Sequence, residues 1–239
     1  MTPLSESFFS DVTHSAKRAI FLLMFICIPG GAIMTGGHAR AAEARSSTVF
    51  RSAAKPGTLI IHGSSTLHKW SITTHDLSGT AAIQLTKPKN GRQFPAQLQK
   101  IHLFMNVLSL RGSDGSGMDK TIYHNLNSKH DPQIMYTLSR AALIATPGSG
   151  NPHYYFKAHG TVTAAGVSKR ITLVLAVLPL KGGGMTISTH TTLTFQDFGI
   201  SPPTAMLGMI RAAKHLKITV TWNLVPKPDK SKTRPVGGK

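Results

Sequence analysis

The chain has 239 residues, and 41% of them are hydrophobic. This fraction is enough to bury a core and too small for a protein with several membrane spans. Twenty-seven lysines and arginines outweigh nine carboxylates, which gives a formal net charge of +18. Such a surface attracts anionic lipid, polysaccharide or nucleic acid, or simply keeps the protein soluble.

The N-terminus is typical of an export signal. Lys17 and Arg18 precede an apolar run over residues 19–34, and Ala39-Arg40-Ala41 forms a small-x-small cleavage site. Pro29 interrupts the run before it reaches the ~20 apolar residues that span a bilayer, although a retained anchor is the alternative. We therefore predict a cleaved signal peptide at 1–41 and a periplasmic protein, which separates the chain from nucleic acid.

Three further segments follow from composition. Residues 42–56 are polar and unpatterned, so we predict a flexible leader there. Residues 226–239 are rich in proline, glycine and lysine, which predicts a disordered basic tail. Between them we expect one folded domain over residues 57–225. Cys27, the sole cysteine, lies in the signal segment, so the mature chain can form neither a disulfide framework nor a thiolate site.

The last segment of the domain has the clearest β pattern. Leu216, Ile218, Val220, Trp222 and Leu224 alternate with polar residues. A period of two with one apolar face is typical of a half-buried strand. Further strands are predicted over residues 58–61, 67–74, 79–85, 100–110, 133–144, 154–164, 168–180 and 184–195.

These short strands, joined by glycine, proline and asparagine turns, favour a barrel or a sandwich. Residues 114–127 differ, because Met118, Ile122 and Leu126 recur every four residues. We therefore predict one short helix that crosses an end of the barrel, capped by Ser116 or Asp119.

Four sequence blocks together carry a resemblance to a known family. They are GSSTLHKW at 63–70, the segment 118–134 in which the predicted helix is followed by the strand entry HDPQI, GTVTAAGVSK at 160–169, and DFGI at 197–200. In this order they resemble the YceI-like family. The resemblance implies an extended eight-stranded antiparallel lipocalin-like barrel, all-β apart from the short helix. It also implies a long internal channel for the isoprenoid tail of a lipid or quinone.

The candidate ligand-binding residues are mostly the apolar side chains of the predicted inward faces. They are Leu67, Trp70, Leu103, Met105, Val107, Ile134, Tyr136, Phe156, Leu173, Leu175, Val177, Phe195, Val220 and Trp222. His68 and Asp197 are candidates for contact with a polar headgroup. The alternatives are that Trp70 is core and His68 completes a buried hydrogen bond, and that Asp197 bonds to local backbone.

Catalytic chemistry has little support in the sequence. Ser65, His68 and Asp76 are close along the chain, but no G-x-S-x-G elbow accompanies them. Carboxylates are few, and no H-x-H or H-E-x-x-H metal motif occurs. We therefore expect no enzymatic activity, no metal and no cofactor.

Two functional hypotheses remain. The first is a periplasmic protein that holds an isoprenoid-like or acyl lipid, or an isoprenoid quinone, in an apolar channel. The second is a ligand-free basic β module that docks on anionic envelope components or on a protein partner. An apolar tunnel of several hundred Å³ would favour the first. Contact with an anionic membrane surface and formation of a homodimer are left open.

Overall fold

The computed structural model describes residues 47–86 and 93–228, and most of these residues lie in antiparallel strands. The predicted signal peptide at 1–41 falls outside the described residues. The same holds for residues 229–239, which make up most of the predicted tail.

The strands and the helix follow one another in this order: β1 (Ser47–Ser64), β2 (Lys69–Thr74), β3 (Ser78–Thr86), β4 (Phe94–Asn106), β5 (Arg111–Gly112), α1 (Ser116–Asn125), β6 (Gln133–Ala145), β7 (Tyr154–Ala164), β8 (Val167–Pro179), β9 (Met185–Thr194), β10 (Thr204–Ala205), β11 (Ile210–Arg211) and β12 (His215–Pro226). Short 3-10 segments occupy Val107–Ser109, Phe195–Phe198 and Met206–Gly208.

Eight of these strands close into an antiparallel barrel. Their order is β12-β9-β8-β7-β6-β4-β3-β1, and β1 pairs with β12 to complete the circle. The two extra strands, β2 and β5, extend the sheet beside the second half of β1. The predicted eight-stranded barrel is confirmed, and so is the short helix, which begins at Ser116 within the predicted segment.

β1 is long enough to serve two neighbours on one edge. Its first residues, 47–51, pair with β3, while residues 59–64 pair with β2. The register against β12 shifts between Ser52 and Gly57. Gly57 has φ +110°, and a Cβ there would lie 1.9 Å from the carbonyl oxygen of Thr221. This close approach requires glycine and lets the strand bend around the barrel.

The predicted flexible leader at 42–56 is wrong from Ser47 onward. Phe50 is fully buried, and the hydroxyl of Ser52 accepts a hydrogen bond of 2.9 Å from the indole N–H of Trp222. The irregular register after Ser52 interrupts the alternation of apolar and polar residues. A search for period two therefore does not detect this half of the strand.

The inward side chains fill one half of the barrel. At the end away from α1 they are almost completely removed from solvent and form the dense part of the core. This set includes Phe50, Ile83, Leu98, Phe156, Met185 and Leu224. Such interdigitated packing closes this end.

We predict that Phe50→Ala lowers the free energy of unfolding by about 3–5 kcal/mol, because the substitution leaves a cavity in the dense half of the core. Urea unfolding followed by circular dichroism would measure the loss. The neighbouring residue Val49, which is 41% exposed, supplies the control, and Val49→Ala should cost far less. Equal, near-zero effects would mean that residues 47–56 contribute no structure.

Candidate ligand-binding cavity

The half of the barrel next to α1 contains an internal cavity of about 460 Å³. This volume lies within the range of small-molecule sites, which are usually concave and mainly apolar. The strand residues that line it are almost all hydrophobic. They include Leu59, Ile61, Trp70, Ile72, Ile101, Leu103, Met105, Ile134, Tyr136, Val162, Ile171, Leu173, Leu175, Ile187, Ile218, Val220 and Trp222.

The boundary between the cavity and the close-packed half of the core crosses individual strands. Along β12, Trp222 lines the cavity, but the next inward residue, Leu224, belongs to the filled half. Along β8 the same change occurs between Leu175 and Val177. Since inward positions recur every second residue, one continuous apolar face supplies both the cavity wall and the packed floor.

α1 borders the cavity at the opposite end from this floor. The predicted stripe of Met118, Ile122 and Leu126 faces the interior. The predicted side-chain cap is wrong, since Gly115 occupies the N-cap and makes no side-chain hydrogen bond. Asp119 instead accepts a 2.7 Å hydrogen bond from the backbone N–H of Gly112, which ties the helix to β5.

A polar pair lies at the cavity mouth. Nε2 of His68 lies 2.8 Å from Oδ2 of Asp114, and both residues border the cavity while remaining partly exposed. The Ser113 hydroxyl donates to the other carboxylate oxygen, and this bond, with that to His68, lowers the pKa of Asp114. The pair connects the turn before β2 with the loop before α1, so it fixes two sides of the opening.

Tyr136 carries a polar atom inside the apolar wall. Its side chain is 8% exposed, and its hydroxyl has no hydrogen-bond partner among the described residues. Burial raises the pKa of Tyr136 to about 12, so the phenol stays neutral at physiological pH. A Cβ on Gly160 would lie 2.6 Å from the tyrosine ring, so this glycine makes room for it. The free hydroxyl can therefore bond to a polar atom of a ligand that enters the cavity.

Many predicted ligand-binding residues do line the cavity. They are His68, Trp70, Leu103, Met105, Ile134, Tyr136, Leu173, Leu175, Phe195, Val220 and Trp222. Trp70 is half-buried on the cavity wall. His68 is exposed and its ring bonds to Asp114, so the alternative of a buried hydrogen bond at His68 is wrong.

Four apolar candidates lie elsewhere. Leu67 is 68% exposed in the turn before β2, because the chain leaves the strand at Ser64 and resumes it at Lys69. Val107, Phe156 and Val177 are fully buried but belong to packed regions outside the cavity. For Phe156 and Val177 the β alternation identifies the inward direction correctly, but depth along the barrel decides whether an inward side chain lines the cavity or packs against neighbours. Val107 lies in the 3-10 segment after β4, where the alternation does not apply.

Asp197 bonds to the local backbone and does not contact the cavity. Its carboxylate accepts from the backbone N–H of Thr194, whose hydroxyl accepts from the backbone N–H of Asp197, so the two form a capping box. The carboxylate also pairs with Lys169, and this bond together with the one from Thr194 lowers its pKa. Asp197 is not part of the cavity wall, while its neighbours Phe195 and Phe198 are.

Several lining residues were missed in the sequence. β9 contributes Ile187, Thr189 and Thr191, which follow the alternation that the segment 184–195 already showed. Pro203 and Ile210 border the mouth from a short hairpin whose place at the opening has no periodic signal. The hydroxyl of Ser65 donates to the carbonyl of His68, not to its ring, so no nucleophile–base pair forms there.

Comparison with solved structures identifies the fold. A polyisoprenoid-binding domain from Saccharophagus degradans, implicated in plant cell wall breakdown, superposes with a TM-score of 0.55 at 12% identity, over 75% of this chain and 99% of that domain. The chain has the fold of that domain. The YceI protein of Campylobacter jejuni gives a TM-score of 0.48 at 19% identity over 66% of this chain and 85% of its own.

A third structure, BcnA of Burkholderia cenocepacia, gives a TM-score of 0.45 at 15% identity over 69% of this chain and 95% of its own. No family model and no curated protein matches the sequence. In residues 47–86 and 93–228, no three histidine, cysteine or acidic side chains are placed to hold a metal ion together. No helix in those ranges is long and apolar enough to cross a membrane.

We predict that Tyr136→Phe leaves the free energy of unfolding at neutral pH unchanged or raises it by up to about 1 kcal/mol, because the hydroxyl loses no partner. Tyr123→Phe is the contrast, since that hydroxyl donates 2.9 Å to the carbonyl of Leu110, and its loss should cost about 1 kcal/mol. A loss of the same size in Tyr136→Phe would show that its hydroxyl is bonded.

The same variant tests the raised pKa. The folded protein disfavours ionised Tyr136, so this tyrosine's contribution to stability is intact below its ordinary pKa of 10.0 and is lost as the pH rises to about 12. Between pH 10 and pH 12 the free energy of unfolding should therefore decrease more steeply with pH in the wild type than in Tyr136→Phe. Parallel curves would contradict the assignment.

Proposed function

We propose that the protein binds an isoprenoid-like or acyl lipid, with the apolar chain of the lipid inside the barrel. The observation that supports this most is the one-ended apolar cavity of about 460 Å³. Packed side chains close its floor, so a chain enters past α1. Burial of apolar ligand surface contributes about 25 cal/mol per Å², without matched hydrogen bonds.

The composition of the cavity wall limits selectivity. Apolar contacts distinguish ligands by length and volume, and one added or missing methylene changes affinity only about 10–200-fold. His68 and Asp114 at the mouth are the polar groups best placed to meet a headgroup. We therefore infer tolerance among lipid tails and stronger selection near the opening.

The structural comparison supports a binding role. The superposed Saccharophagus degradans domain is described as polyisoprenoid-binding. With the absence of a nucleophile–base pair around Ser65 and His68, this favours a carrier or buffer over an enzyme. The basic pair and apolar run before residue 41 support a periplasmic location.

The second hypothesis, a ligand-free basic module, remains the alternative. It accounts for the net charge of +18, which the cavity does not require. It gives no reason for an apolar space inside the barrel, since a filled interior would be more stable. The cavity therefore favours the lipid-binding hypothesis.

We predict that the wild type takes up a short-chain ubiquinone or myristic acid and that Ile171→Trp weakens uptake about tenfold or more by filling the cavity. Ile171 lines the cavity, whereas its neighbour Thr172 is exposed, so Thr172→Trp is the matched control and should bind normally. Native mass spectrometry would count bound ligand. Because both tryptophans of the chain, Trp70 and Trp222, line the cavity, quenching of their fluorescence by the quinone gives a second readout.

Thermal unfolding of both variants would separate a filled cavity from a misfolded barrel. Uptake that is equal in Ile171→Trp and Thr172→Trp would place the ligand outside the cavity. No uptake by the wild type, together with a bare polypeptide mass after purification from a bacterial host, would support the basic module instead.

A further inference from the structure

The most exposed hydrophobic side chains of the described residues lie together beside the cavity mouth. Leu207 is 106% exposed, Met209 70%, Leu67 68% and Met206 64%. Three of them form the tip of the β10–β11 hairpin, and Leu67 lies in the adjacent turn. We call these four residues the apolar tip. A contiguous exposed apolar group of this kind marks an interaction site more often than scattered single residues do.

Hydrogen bonds hold the two parts of the apolar tip together. The hydroxyl of Thr66 donates to the carbonyl of Met209 at 3.1 Å, and the N–H of Thr66 donates to the carbonyl of Arg211 at 3.0 Å. The N–H of Ala213 donates to the carbonyl of Ser64 at 2.8 Å. The hairpin is therefore fastened to the turn that carries Leu67, which places the four exposed apolar residues on two adjoining segments.

The backbone of the tip is unfavourable for its sequence. The N–H of Met209 donates to the carbonyl of Met206, and the central residues, Leu207 and Gly208, both have positive φ, 56° and 87°. This turn favours asparagine, aspartate or glycine at its first central position. A leucine there adds strain, and because its side chain is fully exposed it buries no surface in the core, so stability does not explain it.

The charges around the tip favour an anionic partner. Arg211 and Lys214 follow it directly, and the sequence contains no carboxylate between Asp197 and Asp229. Asp114, an acidic residue that borders the mouth, is already paired with His68. Apolar side chains flanked by cations are the combination that inserts into an anionic lipid surface, where the chains enter the acyl boundary and the cations meet phosphates.

The hairpin also borders the cavity. Pro203, Thr204 and Ile210 line the mouth, while Leu207 at the tip points to solvent. We propose that the apolar tip inserts into the surface of an anionic bilayer and holds the cavity mouth against the membrane. A lipid tail could then pass between bilayer and barrel with little exposure to water. The docking itself does not depend on which ligand the cavity takes.

The decisive variant is Leu207→Asn. Asparagine suits the positive φ, so the variant should keep or raise the melting temperature while its partitioning onto vesicles falls about tenfold, the loss expected for one buried leucine. Vesicles of phosphatidylcholine with phosphatidylglycerol, assayed by flotation, are the probe. Leu180→Asn is the control, because Leu180 is an exposed leucine in a turn at the other end of the barrel and should bind like the wild type.

The depth to which residue 207 inserts into the bilayer can be measured separately. Leu207→Trp should show a blue-shifted emission with these vesicles and be quenched by brominated acyl chains, whereas Leu180→Trp should show neither change. Binding should weaken with pure phosphatidylcholine and with rising salt, since the cationic contribution is screened within about 8–10 Å at physiological ionic strength.

Three results would overturn the proposal. Vesicle binding that Leu207→Asn does not change would assign it to general surface charge. No vesicle binding at all would exclude the bilayer, even if ligand uptake in solution is normal, so failure here is distinct from failure of the carrier function. Self-association that Leu207→Asn abolishes, measured by analytical ultracentrifugation without lipid, would make a second copy of the chain the occupant of the tip.

Discussion

The pairing of β1 with β12 is the contact on which the rest of the structure depends. Without it the eight strands would form an open sheet with two unpaired edges and no interior. β1 can close the circle because Gly57 lets its backbone approach Thr221 and bend, and because Phe50 fixes its first half in the core. Closure turns one apolar face of every strand into an enclosed volume.

That volume is divided unequally between packing and space. The half away from α1 is close-packed, whereas the half next to α1 encloses the cavity. The side chains that line the cavity have no neighbours on its inner side, so they lose the dispersion contacts that a filled core would provide. An apolar ligand that filled the cavity would restore those contacts, so its binding would stabilise the folded protein.

Polar groups are placed according to depth. His68 and Asp114 lie at the rim, where water and a headgroup can both reach them, whereas Tyr136 presents a single unpartnered hydroxyl within the wall. The apolar tip lies beyond the rim and reverses this trend. From the floor to the tip, the protein presents an apolar wall, a polar pair at the rim, and an exposed apolar group beside cations, which is the order that the proposed contact with a bilayer requires.

Hydrophobic periodicity determined the position and the inward face of several elements of this protein. The alternation of Leu216 to Leu224 gave the strand and its inward face, the spacing of Met118, Ile122 and Leu126 gave the helix, and together with the resemblance they gave the barrel. The tertiary structure decided the surroundings of the inward residues. Leu175 lines the cavity and Val177 is close-packed, although both are apolar residues at equivalent positions of the same alternation. Side-chain direction is a local property of the backbone, whereas depth, closure through the bulged start of β1, and the exposure of Leu67 depend on contacts between residues far apart in the chain.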